Sequence, residues 1–315
     1  MNRLYAAIAI LAIVLVTALV GVLRPNGRPP TVEAGQGFSD SDNNPPLRFA
    51  MTAAFVSEEG VGIYQELVDY VSKELGQPCQ LVTGLSYRTV ASMLSAGSVH
   101  VAFVCGLPYV ELVDRPEPPV VLLAAPIMTA PQYKGVPKYY SYVITHQSKS
   151  YDNFLALRGC VYAYNDELSN SGYNMPRARL VELGQTGGFF GEMLRSGSHE
   201  ESIRLVATGK ADASSVDSLV LDFAKQQGDE YAMQVKVIET LGPAGIPPVV
   251  ASAAVPPDLR DRIARIFCTV HKDEAGRAIL DRALVDRFSV VEDDNYDDIR
   301  AMCETARAAG YNEIH

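Results

Sequence analysis

The chain has 315 residues, of which 48% are hydrophobic and 20% are charged, and its formal net charge is −10. This length allows two domains, each with its own hydrophobic core. The chain has no block of lysines and arginines, so it lacks the basic patch that binding to nucleic acids or to anionic membrane surfaces requires. The composition therefore argues against both functions.

The N-terminus contains an uncharged apolar run at 4–23, between Arg3 and Arg24. A run of about 20 apolar residues is long enough to span a lipid bilayer. It exceeds the apolar region of about 7–15 residues in a cleaved signal peptide, and no clear Ala-x-Ala site follows it. We therefore predict an uncleaved membrane anchor at 1–23 and export of the remaining chain, with a cleaved signal peptide as the alternative.

Residues 24–46 are rich in Gly, Pro, Ser, Asp and Asn and show no apolar periodicity. This composition is typical of a flexible linker. We predict that it separates the folded part of the chain from the membrane.

After the linker, strand-like and helix-like segments alternate. Two short strand candidates at 47–52 and 80–84 flank an amphipathic helix candidate at 60–75. A second helix candidate, 86–97, ends at a glycine, and the apolar run VHVAFVCG then reads as a buried strand. This alternation predicts βαβ units and a parallel sheet.

A second unit of the same design follows. The segment 201–218 again contains a helix pattern, a glycine at position 209 and a strand pattern that ends in Asp217. In open α/β sheets, ligands bind beyond the carboxyl ends of the strands. Two such ends that face each other would form a cleft.

The strand-like runs at 139–146 and 247–255 lie at the edges of the middle segment, where the chain would cross between the two lobes. We predict that lobe 1 contains residues 47–138 and 251–315. Lobe 2 would contain residues 139–250.

The segment YNDELSNSGYNMPRARL, at 164–180, contains a candidate ligand site. Pro176 is tolerated only in the first turn of a helix, so Ser169, Asn170, Ser171 and Gly172 fall in the cap and in the turn before it. Free N–H groups at a helix start attract anions, and a glycine there lets a ligand approach the backbone. The alternative is an ordinary helix cap without a ligand.

A second helix start lies in SGSHEESIRLV. Ser198 and Glu201 have the spacing of a capping box ahead of an apolar stripe. His199 therefore falls in the first helical turn, where it could donate a hydrogen bond to an oxyanion. Asp217, at a strand end, could orient a donor or accept from a ligand hydroxyl.

The five cysteines are widely spaced and form no C-x-x-C pair, which argues against a zinc site and a redox motif. We predict no metal ion and no cofactor. Most of the cysteines are expected to be small buried hydrophobic residues. Cys105, next to a strand end, is the candidate for a ligand contact.

Three segments together, DELSNSGYN, GSHEESIRLVATGKADASSVDS and LGPAGIPPVVAS, resemble the phosphonate/phosphite family of periplasmic solute-binding proteins that serve ABC transporters. The resemblance extends from about Leu47 to the C-terminus. It implies the type II periplasmic binding fold, with two α/β lobes, two crossing hinge strands and a ligand in the cleft.

The resemblance also implies a set of ligand-binding residues. The Ser-Thr-Ser-Gly turn of the family corresponds to the turn at 169–172, with Asn170 in place of threonine. The Gly-Ser-His-Glu segment of the family corresponds to 197–200, and an aromatic residue after its third strand is similar to Tyr109. The complete predicted set is Ser169, Asn170, Ser171, Gly172, His199, Asp217, Tyr109, Cys105 and Phe55.

The resulting interpretation is a monomeric, non-enzymatic binder of a small oxyanion or phosphonate-like ligand in the periplasm, which delivers this ligand to an ABC permease. The nucleophile elbow, the H-E-x-x-H motif and the P-loop are all missing from the sequence, which argues against catalysis. One alternative is a membrane-tethered sensor that signals to a histidine kinase and possesses a soft ligand for arsenite in Cys105. Another is an enlarged cleft for an apolar or lipid-like ligand.

Overall fold

The computed structural model describes residues 45–52 and 58–314. The predicted anchor, nearly all of the predicted linker and Phe55 lie outside these residues. Among the helices in the described ranges, none is both long enough and apolar enough to cross a membrane.

The described residues form eleven strands and nine α-helices. The strands are β1 (Leu47–Thr52), β2 (Cys79–Leu85), β3 (Val101–Phe103), β4 (Val120–Met128), β5 (Lys138–His146), β6 (Val161–Tyr164), β7 (Glu192–Arg195), β8 (Ala213–Asp217), β9 (Val235–Gly245), β10 (Val249–Ser252) and β11 (Val285–Ser289). The helices are α1 (Glu58–Leu75), α2 (Tyr87–Ser95), α3 (Gly106–Val113), α4 (Met175–Glu182), α5 (His199–Ala207), α6 (Ser218–Gln226), α7 (Pro257–Thr269), α8 (Glu274–Arg282) and α9 (Asp297–Ala308).

The strands belong to two separate sheets. The first has the order β11-β4-β10-β3-β1-β2, and the second has the order β7-β6-β8-β5-β9. In the first sheet β1 is parallel to β2 and β3, and in the second β6 is parallel to β7 and β8. This is the two-lobed α/β architecture that the sequence predicts, and we refer to the sheets with their helices as the first and second lobes.

Two glycines end helices in corresponding places of the two lobes. Gly97 follows α2 with a φ of 67°, and Gly209 follows α5 with a φ of 71°. This left-handed conformation is easily adopted only by glycine, and it turns the chain from each helix into the next strand. The sequence prediction of both helix ends is confirmed.

The chain crosses between the sheets twice. It passes from β4 to β5 through residues 129–137, and from β9 to β10 through residues 246–248. The run at 139–146, predicted as the first crossing, contributes β5 to the second sheet. The run at 247–255, predicted as the second crossing, contributes β10 to the first sheet. The crossings themselves are the short segments beside these strands.

The C-terminal segment contacts both crossings. Asp298 accepts hydrogen bonds from Lys138 Nζ at 2.6 Å and from the Gly245 N–H at 3.1 Å, and the Tyr296 hydroxyl donates to Ile246 O. Helix α9 packs against α3 of the first lobe and against α4 and β9 of the second. The end of the chain therefore contacts both lobes, and the predicted lobe boundaries stay a prediction.

One hydrophobic core cluster extends through both lobes. It includes Phe49 of β1 and Tyr162 of β6, both of which are fully buried. A second cluster, around Ile203 and Val216, fills the space between α5 and the second sheet. Because the larger cluster is shared, the lobes are expected to unfold together.

A chain that begins at Pro45 should fold without the residues before it, because Asn44–His315 form one compact unit. We expect a single cooperative transition in thermal unfolding followed by circular dichroism and by calorimetry. The shared core predicts one transition rather than two. A melt without cooperativity, or two separated transitions, would contradict this expectation.

Candidate functional site

Seven of the nine predicted site residues, all except Phe55 and Tyr109, lie where the carboxyl ends of strands from both sheets meet. In the first lobe, β1 ends at Thr52, β2 leads into Tyr87, and β3 leads into Cys105. In the second lobe, β6 leads into the serine turn, and β8 ends at Asp217. This edge is the expected ligand position in an open α/β sheet. We call the region between these two edges the seam.

The serine turn is a single π-helical turn at Asn170–Asn174, followed directly by α4. Ser169 is its N-cap, and its hydroxyl accepts a hydrogen bond from the Gly172 N–H at 3.0 Å. The Ser171 carbonyl accepts from the Ser141 hydroxyl at 2.7 Å. The Ser169 hydroxyl thus caps the turn and also interacts with Tyr87, whereas the Ser171 hydroxyl oxygen lies beside His199.

Asn170 holds the turn in place. Its N–H donates to Cys105 Sγ at 3.4 Å, and its side-chain Nδ2 donates to the Tyr139 hydroxyl at 3.1 Å. Its Oδ1 accepts from Asn174. The polar groups of Asn170 are therefore used inside the protein. Together with the committed N–H of Gly172, this leaves fewer free backbone donors in the turn than the sequence suggested.

Gly172 is required for a reason that differs from the predicted one. A Cβ at this position would overlap the Oδ1 atom of Asn165 and would lie close to the Ser169 hydroxyl. The first obstacle to a side chain is thus a residue of the protein. We had expected the space beside Gly172 to belong to the ligand.

His199 begins α5, and both of its ring nitrogens have partners in the seam. Nδ1 accepts from the Asp217 N–H at 3.3 Å, and Nε2 lies 3.4 Å from the Ser171 hydroxyl oxygen. Because a backbone N–H can only donate, Nδ1 carries no proton and Nε2 carries it in the neutral ring. Burial lowers the pKa of His199 to about 3, so the ring is a neutral donor.

Asp217 is the N-cap of α6. Its Oδ1 accepts from the Leu219 N–H at 2.8 Å, and the residue is only 2% exposed. Burial raises the pKa of its carboxyl group to about 8, and the charges of Asp222 and Glu200 act in the same direction. At neutral pH the carboxyl group is mainly protonated and can donate a hydrogen bond.

Cys105 is the N-cap residue of α3 and is a buried thiol. Burial raises its pKa to about 11, against the opposing effect of the Asn170 N–H. A soft metalloid binds the thiolate, and at neutral pH this form is scarce. The structure therefore gives no support to arsenite binding. Groups of side chains that could hold a metal ion are not found in the described ranges.

Tyr109 lies one turn beyond Cys105, but its side chain has other partners. The hydroxyl donates to Asp293 Oδ1 at 2.6 Å, and the ring centroid lies 4.6 Å from that of Tyr296. The hydrogen bond and the ring contact of this side chain are therefore both with the C-terminal segment. The hydrogen bonds of the seam connect Ser169, Ser171, His199, Asp217 and Cys105 to their neighbours and do not include Tyr109.

The seam contains further polar residues that the sequence analysis missed. The Tyr87 hydroxyl accepts from Asn165 Nδ2 at 3.1 Å, and Tyr139 is bonded to Asn170. The Thr52 hydroxyl is buried and has no hydrogen-bond partner among the described residues. Position at a strand end was a usable signal for Thr52 and Tyr87. No local pattern distinguished Asn165.

The seam is polar without being charged. In the part of the chain that the structure describes, the hydrogen-bond partners of Ser169, Asn170, Ser171, His199 and Asp217 include no lysine or arginine. An anion at this position would therefore be held by hydroxyl, imidazole and amide donors rather than by a cation. Neutral donors of this kind bind a small charge better than a large one.

The chain belongs to the family described as the periplasmic substrate-binding protein of phosphonate ABC transporters, whose sequence pattern matches residues 49–296. Members of this family bind solutes for transport and are not enzymes. The family implies a periplasmic location.

Solved structures of low sequence identity have the same fold. A binding-protein component of an ABC phosphonate transporter from Pseudomonas aeruginosa has a TM-score of 0.76 and 19% identity, over 86% of this chain and 89% of its own. PhnD1 from Prochlorococcus marinus, in complex with methylphosphonate, has a TM-score of 0.72 and 17% identity, over 85% and 100%. A Xanthomonas citri protein bound to ATP has a TM-score of 0.64 and 13% identity, over 84% and 99%.

Asp217 should give the stability of the protein a pH dependence of defined sign. Its pKa is about 8 in the folded chain and about 3.9 in an unfolded chain. The stability that this proton supplies is complete below the unfolded value and is lost as the pH rises through the folded value. His199 has the opposite effect, but only below its unfolded pKa of about 6.5.

We therefore expect the free energy of unfolding to fall between about pH 6.5 and pH 8 by about 1–2 kcal/mol more in the wild type than in Asp217→Asn. Urea unfolding at both pH values measures the difference. The exposed Asp152→Asn provides the matched control and should behave like the wild type. If the free energy of unfolding falls equally with pH in the wild type and in Asp217→Asn, Asp217 is ionised at neutral pH.

Proposed function

We propose that this protein binds a small oxyanion of the phosphite or alkylphosphonate type in the seam and delivers it to an ABC permease. The observation that carries the proposal is the pair of Ser171 and His199. The Ser171 hydroxyl oxygen and His199 Nε2 lie 3.4 Å apart, and both residues are buried near the carboxyl ends of strands. Two neutral donors that meet in this way suit an oxyanion.

The low charge of the seam favours a ligand of low charge. A dianion buried among neutral groups would have no counter-charge to offset its loss of hydration. A monoanion can share the protons of Ser171 and His199 and can exchange a further hydrogen bond with Asp217. This argument favours a monoanion, such as singly ionised methylphosphonate, over a dianion.

The proposed binding cycle uses the two lobes as separate bodies. We propose that lobe 1 comprises 47–138 and 251–315, that lobe 2 comprises 139–250, and that they rotate about residues 129–137 and 246–248. The C-terminal segment holds both crossings, which favours a fixed axis. Tethering of a monomeric protein to the membrane through residues 1–23 belongs to the same proposal.

The two serines of the turn should differ in what their loss affects. Ser171→Ala removes a hydrogen bond to a charged ligand and should weaken binding of methylphosphonate or phosphite at least tenfold, since such a bond contributes about 1.5–3 kcal/mol. Ser169→Ala removes the cap of the turn and should lower stability by about 1 kcal/mol. Its effect on affinity should be the smaller of the two. Calorimetric titration and thermal unfolding measure the two effects.

The variant His199→Ala tests ligand binding independently of the serine variants, and His146→Ala is its matched control. His146 lies at the end of β5 and bonds to Ser148, away from the seam. We expect loss of binding only for His199→Ala. If phosphite, methylphosphonate, phosphate and arsenite all fail to bind the wild type, the oxyanion proposal is wrong and the enlarged apolar cleft becomes the leading alternative.

A further inference from the structure

At the seam, two hydrogen bonds between described residues connect the lobes directly. The Asn165 Nδ2 group, after β6 of the second sheet, donates to the hydroxyl of Tyr87, which begins α2 of the first lobe, at 3.1 Å. The Asn170 N–H, in the serine turn, donates to Sγ of Cys105, which caps α3, at 3.4 Å. Any rotation that separates the lobes must break both bonds.

Asn165 is held in a fixed position for this contact. Its carbonyl oxygen accepts from the Gly197 N–H at 3.1 Å, and its side chain fills the space beside Gly172. The residue is fully buried, and its Oδ1 has no hydrogen-bond partner within the described residues. Burying an amide with one unpaired atom costs free energy of folding. A functional contribution of the bond to Tyr87 would account for keeping Asn165 at this position.

We propose that Tyr87 and Asn165 are positioning residues that stabilise the closed arrangement of the lobes and so raise ligand affinity. The apparent dissociation constant of a protein that binds only in one arrangement is the intrinsic value divided by the fraction in that arrangement. A bond between the lobes that forms without a ligand increases this fraction. The inference rests on the proposed function only in placing the ligand at the seam.

The proposal also gives Gly172 a role. Any side chain at this position would push Asn165 away from Tyr87, because a Cβ would overlap its Oδ1 atom. Gly172→Ala should therefore weaken ligand binding by opening the lobes. The serine turn would then have two roles. Ser171 would donate a hydrogen bond to the ligand, and Gly172 would leave room for the Asn165 side chain that bonds to Tyr87.

The test measures opening without a ligand. In the full chain in detergent micelles, amide hydrogen exchange of peptides covering 165–174 reports the Asn170 N–H that bonds to Cys105 across the seam. Tyr87→Phe removes only the hydroxyl and should speed this exchange about two- to tenfold, the effect of losing one net hydrogen bond. The affinity for methylphosphonate, measured by titration, should fall by a similar factor.

Two further variants make the result specific. Asn165→Ala removes the same bond from the other lobe, so the double variant should be no worse than the more affected single variant. Tyr162→Phe is the matched control, because its fully buried hydroxyl bonds to Ser215 at 2.6 Å inside the second lobe. It should change overall stability but neither the exchange of 165–174 nor the affinity.

Each other outcome overturns the proposal in a recognisable way. Weaker binding by Tyr87→Phe with unchanged exchange would make Tyr87 a ligand contact. Equal acceleration by Tyr162→Phe would indicate general destabilisation, and independent effects of Tyr87 and Asn165 would deny their coupling. If no ligand binds the wild type, the proposed function fails, while the exchange measurement still decides whether the pair closes the seam.

Discussion

The structure depends on one constraint: polar side chains are buried between two sheets, and among the described residues their hydrogen-bond partners include no lysine or arginine. Buried polar groups must find hydrogen-bond partners, because an unpaired one costs about 1–3 kcal/mol. Ser169, Asn170 and Ser171 are all fully buried, and each of them is bonded within the seam. These hydrogen bonds therefore hold the side chains of the seam in fixed positions, which would reduce the entropy lost in binding the proposed ligand.

The same constraint connects the acid and the histidine. The Asp217 backbone N–H fixes the tautomer of His199, and the Asp217 carboxyl group caps α6. Burial disfavours charge on both side chains, so it lowers the pKa of one and raises the pKa of the other. Two groups that would form an ion pair in water are both neutral here. This is how the seam can offer donors to an anion without also offering a carboxylate that would repel it.

The sequence predicted the layout of the fold well, since alternating strands and helices and the glycines at 97 and 209 are local signals. It also indicated Ser171, His199 and Asp217, because a helix start or a strand end fixes where a side chain points. It could not predict the pairing of Tyr87 with Asn165, which are 78 residues apart in the chain. Such a contact follows from how the lobes meet, and no local pattern encodes that.

Asn170, which stands where the turn of the family has threonine, is in direct contact with Cys105 across the seam. The Asn170 side chain donates to Tyr139 and accepts from Asn174. Threonine has a single hydroxyl on a shorter side chain and cannot replace both amide groups at these distances. The asparagine at position 170 thus affects both the packing of the turn and the contact between the lobes, because its side chain bonds within the second lobe and its N–H bonds to the first.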